Sequence, residues 1–335
     1  MDPLTHGLAS FALQRGFFPR ASWRGALAII FAGVIADIDR FSANFGPATY
    51  LRYHRSATHS IALVVALAFT AFLLSRLTLG KDISSNWNGL SWVAVAAAAS
   101  LHVLMDLTQA DPVAPLWPLS EKRFSLDLAP AIDPWLLVIL IAAIVFPELV
   151  RLVTDEIGAR SKQPRGRIGA IIGLAFALIY FGSRALFHSN VIASLEARTI
   201  AGESPRRIAA YPDAVSPFLW HGIVETESSL NLATMRSMGG EVTYATGVTT
   251  LRKPDPSPSL AAAQSSSATI TFLKFARFPK ATVVKETEGY SVEIQDLKDQ
   301  TMGENNRAIF ADINLDKSGK VISSELQWQK APHRQ

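Results

Sequence analysis

The chain has 335 residues, 49% of them hydrophobic and only 18% charged, with a formal charge of +4 and no cysteine. Disulfides and thiolate metal ligands are therefore excluded, and so is a nucleic-acid partner, because the basic residues are spread through short loops instead of forming a stripe. A soluble domain carries roughly a quarter charged residues; here the apolar excess falls almost wholly before residue 187, which predicts a membrane half followed by a soluble half.

Asp2 and His6 sit where a cleaved signal would carry its basic region, so no signal peptide is expected. Residues 4–18 read as a short amphipathic helix, half-buried or re-entrant. Five runs read as membrane helices: 23–38, 59–79, 90–107, 134–153 and 167–187. Each is near the length that crosses about 30 Å of hydrocarbon, the first being short. The loop 151–167 carries Arg151, Arg160, Lys162, Arg165 and Arg167 and is expected on the cytoplasmic side. Counting helices from it sets 37–59, 108–132 and everything after Phe187 on the outer side.

A connecting helix is expected over 188–210, ending near Ser204-Pro205. Beyond it, short runs at 222–225, 241–250, 268–275, 281–286, 290–294, 308–314 and 320–323 alternate in polarity between turn signals and read as strands. The Pro/Ser/Ala-rich stretch 254–267 reads as a loose loop. The expected fold class is mainly α: a polytopic membrane bundle of about five or six helices over 1–187, with a small β-rich extramembrane domain over 211–335.

Four of the seven histidines, His6, His54, His59 and His102, fall in the first third, together with Asp37, Asp39 and Asp106. Ionisable groups at membrane helix ends are costly unless hydrated, paired or metal-bound. His102 and Asp106 are four apart on one helix, so both side chains share a face and can offer one nitrogen and one oxygen to a metal. Asp37 and Asp39 are two apart and diverge in a regular helix; both can face one site only where the helix frays or turns. In His54-Arg55-Ser56-Ala57-Thr58-His59-Ser60, Thr58 is expected to cap the following helix and place His59 in its first turn. Arg55 is the candidate for an anionic substrate group. Taken singly, each has a bland alternative: a histidine bonded within its own helix, solvated acids at a helix end, an interfacial His6. Their joint delivery to one side of the membrane by four segments favours a common site.

The motifs Asp2-Pro3-Leu4-Thr5-His6-Gly7, Ala36-Asp37-Ile38-Asp39, His54 to Ser60 and His102-Val103-Leu104-Met105-Asp106 occur in the order that resembles the YdjM-like family of inner-membrane metal-dependent hydrolases. Leu116-Trp117-Pro118-Leu119-Ser120, Arg123-Phe124, Ile132-Asp133-Pro134 and Ser216-Pro217-Phe218-Leu219-Trp220 are similar to it as well. Ala36 stands where that family usually has proline, and Ser56 where it has glycine; neither removes a ligand type. The resemblance implies a bound divalent metal and hydrolytic activity.

The expected metal ligands are His6, Asp37, Asp39, His54, His59, His102 and Asp106, with Asp37, Asp39 and Arg55 as catalytic groups. Seven ligands exceed one tetrahedral site, so two divalent ions are expected, zinc foremost. A site at the membrane mouth suits membrane lipid or another amphiphilic ester or phosphoester. Two alternatives use the same ligands without hydrolysis: a cation transporter, which the position at helix ends disfavours, and a metal-braced scaffold. Among the remaining signals, Asp312-x-Asn314-x-Asp316 is expected to lead into a hairpin turn at Asp316-Lys317-Ser318-Gly319 and not a calcium loop. Asp133 is expected to cap a helix, and His188 and His221 to be interfacial or surface residues.

Overall fold

The computed structural model describes residues 1–19, 21–79, 88–156, 164, 166–200, 202–301 and 308–329. The first part of the chain is mostly helical and the last part is built of antiparallel sheet. Two compact units result: Met1–Phe41 with Tyr53–Leu186, and Ser42–Arg52 with Phe187–Gln335.

In the first unit, α1 (Pro3–Phe17) starts on Asp2, whose carboxylate accepts from the Thr5 amide, with proline at the first helical position. Helix α2 (Trp23–Ala32) begins at the Ser22 cap and stops at Gly33. The chain then tightens into a 3-10 helix, Ile35–Phe45, passes through α3 (Pro47–Tyr53), which belongs to the second unit up to Arg52, and returns in a single 3-10 turn, Ala57–His59. Helices α4 (Ile61–Leu79), α5 (Asn88–Leu107), α6 (Pro134–Glu156) and α7 (Arg167–Glu196) follow. Alanines let α2, α4 and α5 approach closely: Ala28, Ala32, Ala68, Ala94 and Ala98 form one buried cluster with Ile29, Val64 and Val95.

Among the described residues, two helical stretches are long and apolar enough to cross a membrane, Pro134–Leu152 and Arg167–Glu196. Trp23–Ala32, Ile61–Thr70 and Trp92–Leu107 are apolar but shorter. The span expected over 23–38 is corrected: α2 has 10 residues, about 15 Å of helix and half a hydrocarbon thickness. Arg160, Lys162 and Arg165, on which the expected orientation leans, lie outside the described residues.

Helices α6 and α7 meet through Gly169 and Gly173, spaced one turn apart. A Cβ on Gly173 would fall 2.1 Å from the Ala143 Cβ, whereas one on Gly182 would meet nothing within 4 Å. Alanine for glycine in a helix normally stabilises by about 1 kcal/mol. Gly182→Ala should therefore hold or raise the thermal unfolding midpoint in detergent. Gly173→Ala should lower it, overpacking costing about 1–3 kcal/mol.

In the second unit, β1 (Arg207–Pro212), β2 (Leu219–Glu225), β3 (Ser229–Met238) and β4 (Glu241–Tyr244) form an antiparallel sheet in chain order, with β5 (Thr249–Arg252) also pairing β3. Helices α8 (Pro258–Gln264) and α9 (Ser267–Leu273) precede a second antiparallel sheet of β6 (Pro279–Lys285), β7 (Gly289–Asp296), β8 (Ile309–Asp316) and β9 (Val321–Trp328), with α10 (Leu297–Thr301) between β7 and β8. Alternate residues of β8 face inward: Ile309, Ala311, Ile313 and Leu315 are buried with Val292 and Ile294 of β7. Tyr50 packs on Trp328 in the same unit, ring centroids 5.2 Å apart.

Four sequence readings fail here, the first being the run expected over 241–250, which is split into β4 and β5 on different stretches of β3. The separate helix expected over 188–210 is the continuation of α7, which ends at Glu196, and β1 occupies 207–212. The strand expected over 268–275 is α9: Ser266 caps it by accepting from Thr269, and Ala268 and Phe272, four apart, share its buried face. The loop expected over 254–267 contains α8, started by the Ser257 cap and Pro258. The hairpin at 316–319 forms as expected, Asp316 accepting from the amides of Ser318 and Lys320.

Asp296, at the end of β7, accepts from the amides of Arg277, Phe278 and Lys298 at 2.7, 3.0 and 3.1 Å. Asp296→Ala strands these donors in a protein interior, at about 1–3 kcal/mol per unsatisfied group. A loss of about 3 kcal/mol is expected in denaturant unfolding followed by tryptophan fluorescence.

Candidate metal centre

Short segments of the first unit deliver the predicted ligands. Asp37 and Asp39 lie on the 3-10 helix, whose three residues per turn set positions two apart well over 100° from each other. The two carboxylates accordingly serve different neighbours. The same geometry eclipses Asp37 and Arg40, and the Arg40 Nε donates to the Asp37 Oδ1 at 3.0 Å.

Asp37 joins His59, His102 and Asp106 in a buried cluster, with one candidate ligand atom from each lying within 4.8 Å of every other. The His102 Nδ1 lies 2.8 Å from the Gly33 carbonyl and must donate to it, so the neutral ring keeps its lone pair on Nε2. The His59 Nδ1 faces the Asp39 Oδ2 at 3.1 Å and the Thr58 hydroxyl at 3.0 Å, which leaves the Nε2 lone pair inward again. Those two Nε2 atoms are 3.2 Å apart, and the Asp106 Oδ2 is 2.9 Å from the one on His59. The Asp106 Oδ2 and the Asp37 Oδ2 are buried without a hydrogen-bond partner among the described residues. Lone pairs and anionic oxygens converging in a dry pocket repel one another unless a cation lies among them. The donor set fits a divalent metal ion.

The other predicted residues surround this cluster. Asp39 contributes no atom to the cluster and holds one of its members from outside: its oxygens take His54 Nδ1 at 3.0 Å, the Arg55 amide at 2.8 Å, the Thr58 hydroxyl at 2.8 Å and the His59 Nδ1 at 3.1 Å. Burial pushes the Asp39 carboxyl up, but the hydrogen bonds from His54 and His59 outweigh it and hold it well below the usual carboxylate range. His54 lies beyond Asp39, its ring 6.5 Å from that of His59. His6 stacks on His102 with centroids 3.8 Å apart, and its Nε2 is 3.1 Å from the Asp106 Oδ1.

Arg55, expected to reach an anionic substrate group, is turned inward at 3% exposure. Its guanidinium donates to the Asp111 carbonyl at 2.7 Å and to the Gln109 side chain, and stands 3.6 Å from Asp106. The cap of α4 is Ser60 and not Thr58: the Ser60 hydroxyl accepts from the Leu63 amide, while the Thr58 hydroxyl is spent on Asp39. Asp133 does cap α6, accepting from the Trp135 and Leu136 amides. Gln109 and the Gly33 carbonyl were missed by sequence reasoning; the one signal for Gln109 is an amide three residues beyond Asp106, just past the end of the apolar run.

Fold and centre together define an apolar helical protein with a buried nitrogen-and-oxygen donor set. The chain belongs to the YdjM inner membrane protein family, whose model matches residues 1–191 and so includes every residue of the centre. No curated protein and no solved structure matches the chain.

Proposed function

We propose that the protein is a multi-pass membrane hydrolase whose divalent ion, zinc foremost, is held by Asp37, His59, His102 and Asp106. The observation that carries this reading is the pair of inward Nε2 lone pairs fixed by the Gly33 carbonyl and Asp39. One extra proton on His59 would serve its contacts with the Asp106 Oδ2 and the His102 Nε2, and still leave the Asp37 Oδ2 buried without a partner among the described residues. When bound, such an ion supplies Lewis acidity and an activated water near neutral pH.

The chain's own groups take distinct parts in this reading. Asp39 orients the His59 ring, as carboxylates beside metal-binding histidines do. His54, half-buried and held by the Asp39 Oδ1, is the general acid–base group. Asp37, the most exposed of the four ligands with 8% of its surface accessible, marks the side from which substrate and water enter. The substrate class is an amphiphilic ester or phosphoester drawn from membrane lipid, handled on the extracytoplasmic side. That sidedness rests on the loop-charge argument.

A second reading is favoured by the number of ligands. Four protein ligands close a tetrahedral shell, as in structural zinc sites, so a metal-braced scaffold would use the same residues. Metal analysis of the detergent-purified protein, followed by a screen of phosphoester and lipid hydrolysis, separates the two. Turnover that vanishes in both His59→Ala and Asp106→Ala supports the hydrolase. Stoichiometric metal with no turnover of any substrate supports the scaffold.

A further inference from the structure

We propose that the protein binds an anionic phospholipid at the end of the first unit remote from the metal centre, with an acyl chain in a groove between α1 and α2 and the phosphate at Arg15 and Arg167. The inference rests on the membrane family to which the chain belongs, and on neither the metal nor hydrolysis.

Helix α1 begins beside the centre, where it carries His6, and α2 ends there, where the Gly33 carbonyl holds His102. Arg15 lies nine residues beyond His6, roughly 14 Å along the helix. At that far end α1 and α2 line a groove of about 730 Å³, within the range of about 300–1,000 Å³ usual for small-molecule sites.

The walls are apolar. Phe11 of α1 faces Ala26, Leu27 and Ile30 of α2, with Trp23 at the start of α2. Trp23, Ala26 or Leu27, and Ile30 recur every three or four residues, so one strip of the helix lines the groove. Leu27 is 50% and Trp23 66% exposed, a surface suited to an alkyl chain. An indole at the end of a short apolar helix is the usual marker of the headgroup level.

One end of the groove is polar and cationic. Gln14 and Arg15 line it, the Arg15 guanidinium lying 4.6 Å from the Phe11 ring centroid and donating through Nη1 to Glu148 at 2.8 Å. Arg167 stands beside it: its Nε donates to the Gly16 carbonyl at 3.2 Å, and its exposed guanidinium makes no ion pair among the described residues. Of two neighbouring guanidinium groups, therefore, one has a carboxylate and the other has none. Arg24 adds a third cation, 5.3 Å from the Trp23 ring centroid. Arginine forks match phosphate oxygens, and basic pockets between membrane helices hold anionic headgroups. A zwitterionic lipid would bring its own cation to the same place. Free phosphate would leave the apolar walls uncovered, and an apolar partner helix would leave Arg167 unanswered.

Native mass spectrometry of the full chain, stripped of lipid in a maltoside detergent, tests the site by titration with phosphatidylglycerol and with phosphatidylcholine of the same acyl chains. One phosphatidylglycerol per chain is expected, bound about tenfold more tightly than phosphatidylcholine. Equal binding of the two would mean an ordinary lipid annulus and overturn the proposal. Glycerol phosphate binding as tightly as the lipid would mean an anion site with no place for a chain, and a dimer forming instead of a lipid adduct would make a second copy the occupant; each is equally fatal. Arg167→Gln is expected to remove most of the preference for phosphatidylglycerol, and Ala26→Phe, which fills the groove, to weaken both lipids. Unchanged phosphatidylglycerol binding in both variants would put the lipid elsewhere. Should Ala26→Phe fail to fold, Arg167→Gln, at an exposed side chain, decides.

Discussion

Replacing His102 by alanine is expected to lower metal affinity by about two to three decades. Structural zinc sites bind with apparent free energies of about 10–16 kcal/mol. Shared among four ligands, that is roughly 3 kcal/mol for each, or a factor of 100 to 1,000. The same substitution removes the donor to the Gly33 carbonyl and the ring stacked on His6, so part of any loss would be structural. His102→Asn separates the two effects. An asparagine amide can stand in for the Nδ1–H group towards Gly33 while offering nothing at the Nε2 position. Metal affinity, measured by competition with a coloured chelator, should fall as far in the asparagine variant as in the alanine one, while the thermal midpoint of the metal-free protein should stay nearer the wild type. Full metal retention in the asparagine variant would mean that His102 is not a ligand.

The candidate ligands are legible because they contradict their surroundings. An imidazole and a carboxylate four apart at the end of an apolar run, as with His102 and Asp106, have few reasons to be there. The division of labour between Asp37 and Asp39 was not legible, because it depends on a 3-10 helix that begins only after Gly33 interrupts α2. A pattern of apolar residues does not reveal where 3.6 residues per turn becomes 3.0. Arg55 was misjudged for a related reason. Its charge suggested a substrate, but the partners that turn it inward, Gln109 and the Asp111 carbonyl, are more than 50 residues away in sequence. In the second unit, alternation located β7, β8 and most of β6, whose faces differ in polarity. It missed β3, where a buried Asn231 donates to the Val224 carbonyl and accepts from Thr250, so that a polar residue occupies a core position. It misread α9 because Ala-Thr-Ile-Thr-Phe alternates and also places Ala268 and Phe272 on one helical face; the Ser266 cap decides between them.

Asp39→Asn is the substitution expected to weaken the centre most without touching a ligand. Asp39 stays ionised through neutral and mildly acidic pH, since its carboxyl is held well below the usual range, so the variant removes a charge that is always present. It also converts one acceptor oxygen into a donor NH2, while all four groups around Asp39, namely His54, His59, Thr58 and the Arg55 amide, approach as donors. At least one of them must then face another donor. If that one is His59, its ring loses the partner that keeps the proton on Nδ1 and the lone pair on Nε2. Loss of such outer partners typically lowers metal affinity by about 10–100-fold. A fall in that range is expected for Asp39→Asn in the chelator competition, with the metal stoichiometry at saturation unchanged. Thr58→Val, which removes one neutral donor from Asp39 and leaves its charge in place, should cost less than the aspartate change. Equal affinities for wild type and Asp39→Asn would mean that His59 is oriented by packing alone, whereas loss of the saturating stoichiometry would make Asp39 itself a ligand.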